Sequence, residues 1–257
     1  MILVTNDDGV YSPGIQMLAK RLREIDAVVI VAPDRERSAA GHSMTLHRPL
    51  LIEEIKDSMF SVNGTPTDCV NIAVKGLLKE MPKLVVSGIN KGPNLGDDVT
   101  YSGTVAGAIE GILLGIPSFA VSLNAREDFR FDNAAEVAVR TAERILQEGL
   151  PAGTFLNINV PNVAVEEIQG TRITRLGKRI YHQMTVERLD PRGKKYYWIG
   201  GGEPDWEREE GTDLDAVDRR FVSITPLHLD MTDYSSFERL RSMETLSYDP
   251  SRHRSGE

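Results

Sequence analysis

The sequence predicts an α/β protein: a Rossmann-like, mostly parallel sheet with helices on both faces, plus a C-terminal β-hairpin and helix extension used in oligomerisation. Three observations carry this. Short apolar runs alternate with segments of helical spacing over the first two-thirds of the chain, a rhythm that calls for parallel strands joined by crossover helices. The runs are continuously apolar, as in strands buried on both faces. The first of them, Ile2–Thr5, stops abruptly at Asn6, Asp7, Asp8 and Gly9, and ligands of open α/β sheets bind at the carboxyl ends of strands.

The elements follow in order. After the first strand, Ser12-Pro13 reads as a helix cap with proline at the first helical position, and Ile15, Leu18, Leu22 and Ile25 follow at helical spacing. Ala27–Ala32 is a buried strand closed by Pro33-Asp34. Residues 43–62 lack helical period and predict short antiparallel strands. Thr65-Pro66-Thr67-Asp68 repeats the capped start, with Val70, Ala73, Val74 and Leu77 behind it. Leu84–Ser87 is a strand, Ser102–Leu114 a helix rich in small residues ended by Gly115 and Pro117, Phe119–Leu123 a strand, Asn133–Gln147 a helix and Phe155–Val160 a strand. Beyond Pro161 the rhythm changes. Ile173–Arg175 and Tyr181–Leu189 read as strands, Asp190-Pro191-Arg192-Gly193 as a turn and Lys194–Ile199 as the returning strand. Tyr196, Tyr197 and Trp198 on so long a hairpin predict packing against a partner subunit. Residues 200–210 read as a mobile loop, Phe221–Thr225 as a strand, Asp233–Leu246 as a terminal helix and the tail from Ser251 as frayed. The organisation is therefore a core over residues 1–165 with the reactive site, and an extension over 166–257 belonging to the same domain.

Composition narrows the function. A formal net charge of −8 over 257 residues argues against a long nucleic acid, whose phosphates need a basic face. It leaves room for a single nucleotide, because a bound cation supplies positive charge locally. Cys69 is the sole cysteine, which excludes an internal disulfide or a cysteine-based metal site and fits a reducing, cytoplasmic setting. No apolar run approaches the ~20 residues that span a bilayer, and no basic segment followed by an apolar run marks the start as a leader.

Asp7 and Asp8 are the first candidates for chemistry. Adjacent carboxylates repel one another unless neutralised, and a hard divalent cation, which takes oxygen ligands, is the natural neutraliser; a solvated acidic turn is the plain alternative. Ser87–Asp98, with three glycines and two asparagines within ten residues, follows another buried strand. Asn90 offers a carbonyl oxygen to a metal and Asn94 an amide donor to a phosphate oxygen. Ser102, Gly103 and Thr104 open the small-residue helix, where free backbone N–H groups suit an anion; simple capping by Ser102 explains them equally well. Ser38 follows the second strand, among small residues that let a backbone approach a ligand. His42, His47, His182, His228 and His253 show no zinc-ligand spacing. His42 lies near the second-strand loop, where it either contacts substrate or serves the structure. The oxygen-rich set Asp7, Asp8, Ser38 and Asn90 points to Mg²⁺ or Mn²⁺.

Taken together, Asn6-Asp7-Asp8-Gly9, Ala32-Pro33-Asp34-Arg35 through Ser38, Gly64–Cys69, Ser87–Asp98, Tyr101–Ala106, Asn157–Pro161 and Ser223–Leu227 resemble the SurE family, survival proteins with nucleotidase activity. The likeness spans almost the whole chain and is looser from about residue 200 onward. It implies a phosphomonoesterase acting on nucleoside 5′- and 3′-monophosphates with one divalent ion (Mg²⁺ or Mn²⁺) per subunit, assembled as a homodimer or homotetramer with exchanged C-terminal elements. It also implies Asp7, Asp8, Ser38 and Asn90 as metal ligands, and Asn94 with Ser102, Gly103 and Thr104 around the phosphate. The expected chemistry is attack by a metal-activated water. The alternatives are a phosphatase with an aspartyl-phosphate intermediate, whose usual Asp-x-Asp at the end of the first strand is here a pair of adjacent aspartates, and a non-catalytic nucleotide-binding module, whose Gly-x-Gly-x-x-Gly is absent after the first strand.

Overall fold

The computed structural model describes residues 1–180, 185–199, 205–207 and 209–245. Strands β1 (Ile2–Thr5), β2 (Val28–Pro33), β3 (Ile52–Lys56), β4 (Met59–Val62), β5 (Leu84–Lys91), β6 (Ser118–Asn124), β7 (Thr154–Pro161), β8 (Thr171–Ile173) and β13 (Val222–His228) form one nine-stranded sheet in the order β3-β4-β2-β1-β5-β6-β7-β13-β8. The six strands from β4 to β7 are parallel, while β3 on β4 and β13 on β7 are antiparallel. The chain runs outward from β1 through β2 to β4, then returns to the far side of β1 with β5 and continues outward. The order therefore reverses beside β1, and Val4 is level with both Ile30 and Val86. A crevice opens between the β1 and β5 loops, where such folds take ligands.

Alternation along the strands builds two cores. Ile2 and Val4 of β1 and Leu84 and Val86 of β5 pack with helices α1 (Pro13–Leu22) and α4 (Phe131–Glu148); Leu3, Val31 and Val85 face the opposite layer, containing α2 (Pro66–Ile72). Helix α3 (Gly103–Leu113) packs on α2 and on β5 and β6. Its Gly103, Gly107 and Gly111, four residues apart, form one stripe against the sheet. A Cβ at Gly107 would lie 2.7 Å from Ser87 Oγ and 2.8 Å from Thr5 Cγ2. Only glycine lets the helix settle this close to β1 and β5.

Element ends show where local signals were outweighed. Thr65 caps α2, as its sequence predicts, through a box with Asp68. Ser12 occupies the α1 cap position, yet its buried hydroxyl has no hydrogen-bond partner among the described residues. Strand β5 continues past Ser87 to Lys91, so Asn90 stands on a strand end rather than within a loop. The Gly88–Ile89 peptide there is cis. The extension joins the main sheet through β8 and β13. The predicted hairpin forms from β10 (Thr185–Leu189) and β11 (Lys195–Ile199), leaving Tyr196, Tyr197 and Trp198 exposed; residues 181–184 of the expected strand lie outside the described residues.

The expected loop over 200–210 is corrected in part. Asp205–Trp206 forms β12, paired with β9 (Arg179–Ile180), and Trp206 packs on Leu95, Leu214 and Val217. That apolar contact outweighs the glycine and acidic composition around it. Residues 200–204 and 208 lie outside the described residues. Thr212 caps α5 (Asp213–Asp218), a helix the sequence reading omitted. The terminal helix is broken into 3₁₀ turns at Tyr234–Ser236 and Arg241–Thr245 around α6 (Phe237–Leu240). Asp233 draws in the Ser235 and Ser236 hydroxyls and the Ser235 N–H, a local alternative to regular helix. Leu246 and the tail from Ser251 lie outside the described residues. No helix among the described residues is long and apolar enough to cross a membrane.

Candidate metal centre and phosphate site

Asp7 and Asp8 leave the end of β1 into a cleft of about 420 Å³. Ser38, Asn90, Asn94 and Ser102 line the same cleft, together with Glu36, Lys91, Asp98, Tyr101 and Arg179. The four residues expected to ligate a metal thus converge from three segments remote in sequence. Gly9 sets up the turn. Its φ is +96°, and a Cβ there would lie 3.1 Å from the Arg35 backbone, so the second-strand loop can close down beside the aspartates. The Arg37 N–H donates to Asp7 O at 2.7 Å, fixing that loop one residue before Ser38.

The two carboxylates differ in setting. Asp7 is buried and accepts a hydrogen bond from the Thr104 hydroxyl. Burial pushes its carboxyl up to about 6, opposed by the Thr104 bond and reinforced by the charge of Asp8. Asp8 is half-buried; burial raises it too, while the Lys91 N–H, donating to its Oδ2 at 3.1 Å, opposes. Among the described residues neither is ion-paired with a Lys or Arg side chain. Asn90 turns its Nδ2 to Gly92 O at 2.9 Å, which leaves Oδ1 as an oxygen donor. Two uncompensated carboxylates, a hydroxyl and an amide oxygen fit a hard divalent cation. No group of three or more His, Cys, Asp or Glu side chains with metal-binding arrangement occurs among the described residues, so neutral oxygens must complete the set.

The expected phosphate residues divide. Ser102 caps α3, its Oγ accepting from Val105 N at 3.0 Å, and stays at the cleft with its own proton to give. Thr104 is fully buried and gives its hydroxyl to Asp7 instead of the cleft. Gly103 is a contact residue: a Cβ there would lie 2.8 Å from Asp7 Cβ and 2.9 Å from Asp7 Oδ2. Asn94 donates through Nδ2 to Ser122 Oγ at 2.7 Å, which uses one of its two amide protons.

No role was expected for the residues behind the cleft, although Asn157 and Asn159 belong to one of the quoted motifs. Asn157 and Asn159, both on β7, donate to Asn94 O at 2.8 and 2.9 Å, and Asn159 Oδ1 accepts from Asn94 N at 2.8 Å. Two asparagines two apart in a buried strand were the available signal, since buried amides demand partners. Asp213, fully buried, accepts from Gly96 N and Gly177 N at 2.8 Å each and from Leu214 N at 2.9 Å. Burial raises its carboxyl and those N–H groups oppose. It ties the glycine-rich loop to the extension. Arg179 Nη1 meets both oxygens of Asp98 at 2.6 Å, bringing an extension residue to the cleft.

A family model described as Survival protein SurE matches residues 2–183. The chain belongs to the SurE family. A protein named 5′-nucleotidase SurE from Pelobacter propionicus is 56% identical over 238 residues, 92% of this chain and 96% of that protein. A protein of the same name from Geobacter sulfurreducens is 53% identical, covering 97% and 95%. The crystal structure of the SurE protein from Aquifex aeolicus superposes with a TM-score of 0.86 at 48% identity, covering 95% of this chain and 99% of that one. The SurE likeness expected from the quoted motifs therefore holds across the whole fold.

Proposed function

We propose that the chain is a 5′-nucleotidase, a phosphomonoesterase that hydrolyses nucleoside 5′-monophosphates and, in the same cleft, 3′-monophosphates. The observation that carries this reading is the convergence of Asp7, Asp8, Ser38 and Asn90 beside the start of α3, and the names of the family's relatives agree with it. Asp7, Asp8, Ser38 and Asn90 would hold one Mg²⁺ or Mn²⁺ per subunit. When bound, that ion supplies charge neutralisation at the phosphoryl group and acidifies water. The chain's own residues do the rest. Ser102, the second amide proton of Asn94 and the first backbone N–H groups of α3 receive the phosphoryl oxygens. Asp7, held by Thr104, is the fixed carboxylate. Asp8, less buried and with Oδ2 occupied by the Lys91 N–H, accepts the proton of the attacking water at Oδ1 while the phosphorus–nucleoside oxygen bond breaks and the departing oxygen takes a proton from solvent, to which Asp8 then returns its own. The subunits assemble as a homodimer or homotetramer through the hairpin and C-terminal segments, in the cytoplasm.

The test is phosphate release from a panel of nucleoside 5′- and 3′-monophosphates, with and without chelator and with each metal restored. Turnover is expected to vanish with chelator and return with Mg²⁺ or Mn²⁺. Asp8→Asn is expected to lower kcat by about 10²–10⁴-fold, the usual worth of a general base. Wild-type rates for both Asp7→Asn and Asp8→Asn at saturating metal would contradict the assignment. A trapped acyl phosphate on either residue would replace it with the covalent route.

A further inference from the structure

Glu110 is a charged residue that opens the last turn of α3, among Val105, Ala106, Ala108 and Gly111, and only 4% of it is exposed. It is too far from the helix start to serve the anion site or to draw on the N-terminal dipole, which acts within the first turn. No Lys or Arg reaches it among the described residues. Its oxygens are instead divided between two side chains from other segments. Asn71 Nδ2, from α2, donates to Oε1 at 2.7 Å, and His42 Nε2 lies 3.0 Å from Oε2. A buried carboxylate in an apolar helix is costly unless its partners are held in place.

The location of His42 gives this triad a task. His42 belongs to the segment from Asp34 to Leu51, which joins β2 to β3 without regular structure and carries Ser38 into the cleft. On one side of Ser38 the segment is fixed by the Arg37 N–H to Asp7 O. On the other it is fixed by Gly41 N donating to Tyr101 O at 3.0 Å and, one residue later, by the His42 ring. Ala39 and Gly41 both have positive φ, +55° and +54°, so the segment turns sharply here; past His42 it is held again by Thr65 Oγ1 donating to Ser43 O at 2.7 Å and Thr45 N donating to Asp68 Oδ1 at 2.8 Å. Ser38 also has a competing partner, since its hydroxyl donates to Glu36 Oε1 at 2.5 Å.

We infer that Glu110, acting through His42 and braced by Asn71, is a positioning residue that fastens the Ser38 segment over Asp7 and Asp8. This rests on the metal reading above, and it predicts that a contact remote from the cleft governs metal affinity. The test uses the full-length protein with Mn²⁺ as the probe, its binding followed by the paramagnetic resonance of free Mn²⁺, alongside unfolding of the metal-free protein and amide exchange over residues 37–44. His42→Ala changes a partly exposed side chain and leaves Glu110 bonded to Asn71, so the metal-free protein is expected to unfold within a few degrees of wild type. Its Mn²⁺ dissociation constant is expected to rise about tenfold, amides 39–43 to exchange faster, and kcat at saturating Mn²⁺ to stay within about twofold of wild type. His42→Gln, which retains a donor toward Glu110, is expected to recover most of the affinity. Unchanged Mn²⁺ affinity and exchange in His42→Ala would overturn the inference while leaving the metal site standing. Wild-type protein that binds no Mn²⁺ would overturn both.

Discussion

At the residue scale, the cleft depends on what surrounds Asp7. Thr104 and Gly103 were expected around the phosphate, and both instead touch this carboxylate, one through a hydroxyl and the other through the absence of a side chain. Gly103→Ala should drive a methyl into Asp7 and displace it. A drop in kcat of about 10²-fold is expected, with about 1–3 kcal/mol of stability lost to overpacking. Steady-state kinetics and urea unfolding check both, and an unimpaired kcat would show that Asp7 has room to move. Thr104→Val keeps the shape and removes the hydrogen bond. About 1.5–3 kcal/mol is the usual worth of a bond to a charged group, so a measurable fall in kcat with an intact fold is expected. These contacts were not legible in the sequence. Helical spacing reveals that a glycine stripe exists, but not which carboxylate lies beneath it.

At the element scale, the glycine-rich segment behaves as a scaffolded loop. Its polar groups are held by Asn157, Asn159 and Ser122 on the β6–β7 side and by Asp213 on α5. Asp213→Ala leaves the buried N–H groups of Gly96 and Gly177 without an acceptor, each costing about 1–3 kcal/mol. The expected result is a lower urea midpoint and faster exchange at Gly96 and Gly177; an unchanged midpoint would show that the pin is dispensable. The strands of the core were readable because burial on both faces makes them continuously apolar, and α2 because the cap residue Thr65 is followed by Pro66 at the first helical position. β12 was missed because its reason is tertiary: Trp206 reaches a small cluster with Leu95, Leu214 and Val217, which no local pattern announces; α5 does carry a local signal, the Thr212 cap with acidic residues in the first turn, which was given no weight in the sequence reading. The C-terminal helix was read as continuous because Asp233 and its serines compete with helix by hydrogen bonds that hydropathy does not register.

At the scale of the whole molecule, the extension leaves apolar surface without cover in a single copy. Tyr196, Tyr197 and Trp198 on β11, and Tyr234, Phe237, Leu240 and Met243 at three-residue spacing near the C-terminus, are all exposed. Such surface is characteristic of an interface. Sedimentation at micromolar concentration is expected to show a dimer or tetramer, and joint replacement of Tyr196, Tyr197 and Trp198 by serine to shift it toward smaller species. A well-folded wild-type monomer would contradict the assembly. A cavity of about 860 Å³ lies between α4 and strands β7, β8 and β13, twice the volume of the Asp7–Asp8 cleft, yet Val137, Ile145, Leu156, Ile173, Val222 and Ile224 give it an apolar floor with charged α4 side chains such as Arg140 and Glu148 beside it. Size does not single out the proposed site; convergent oxygen donors do. That convergence follows from topology, since the reversal of strand order beside β1 brings Asp7, Asp8 and Asn90 to one edge, and the sequence disclosed it through strand ends rather than through any single motif. The most direct test of this account is the anomalous difference density of crystals soaked in Mn²⁺, read together with turnover in EDTA. A peak within coordination distance of Asp7, Asp8, Ser38 and Asn90, with turnover lost in EDTA, is the predicted result; an empty map there with undiminished turnover in EDTA would contradict it.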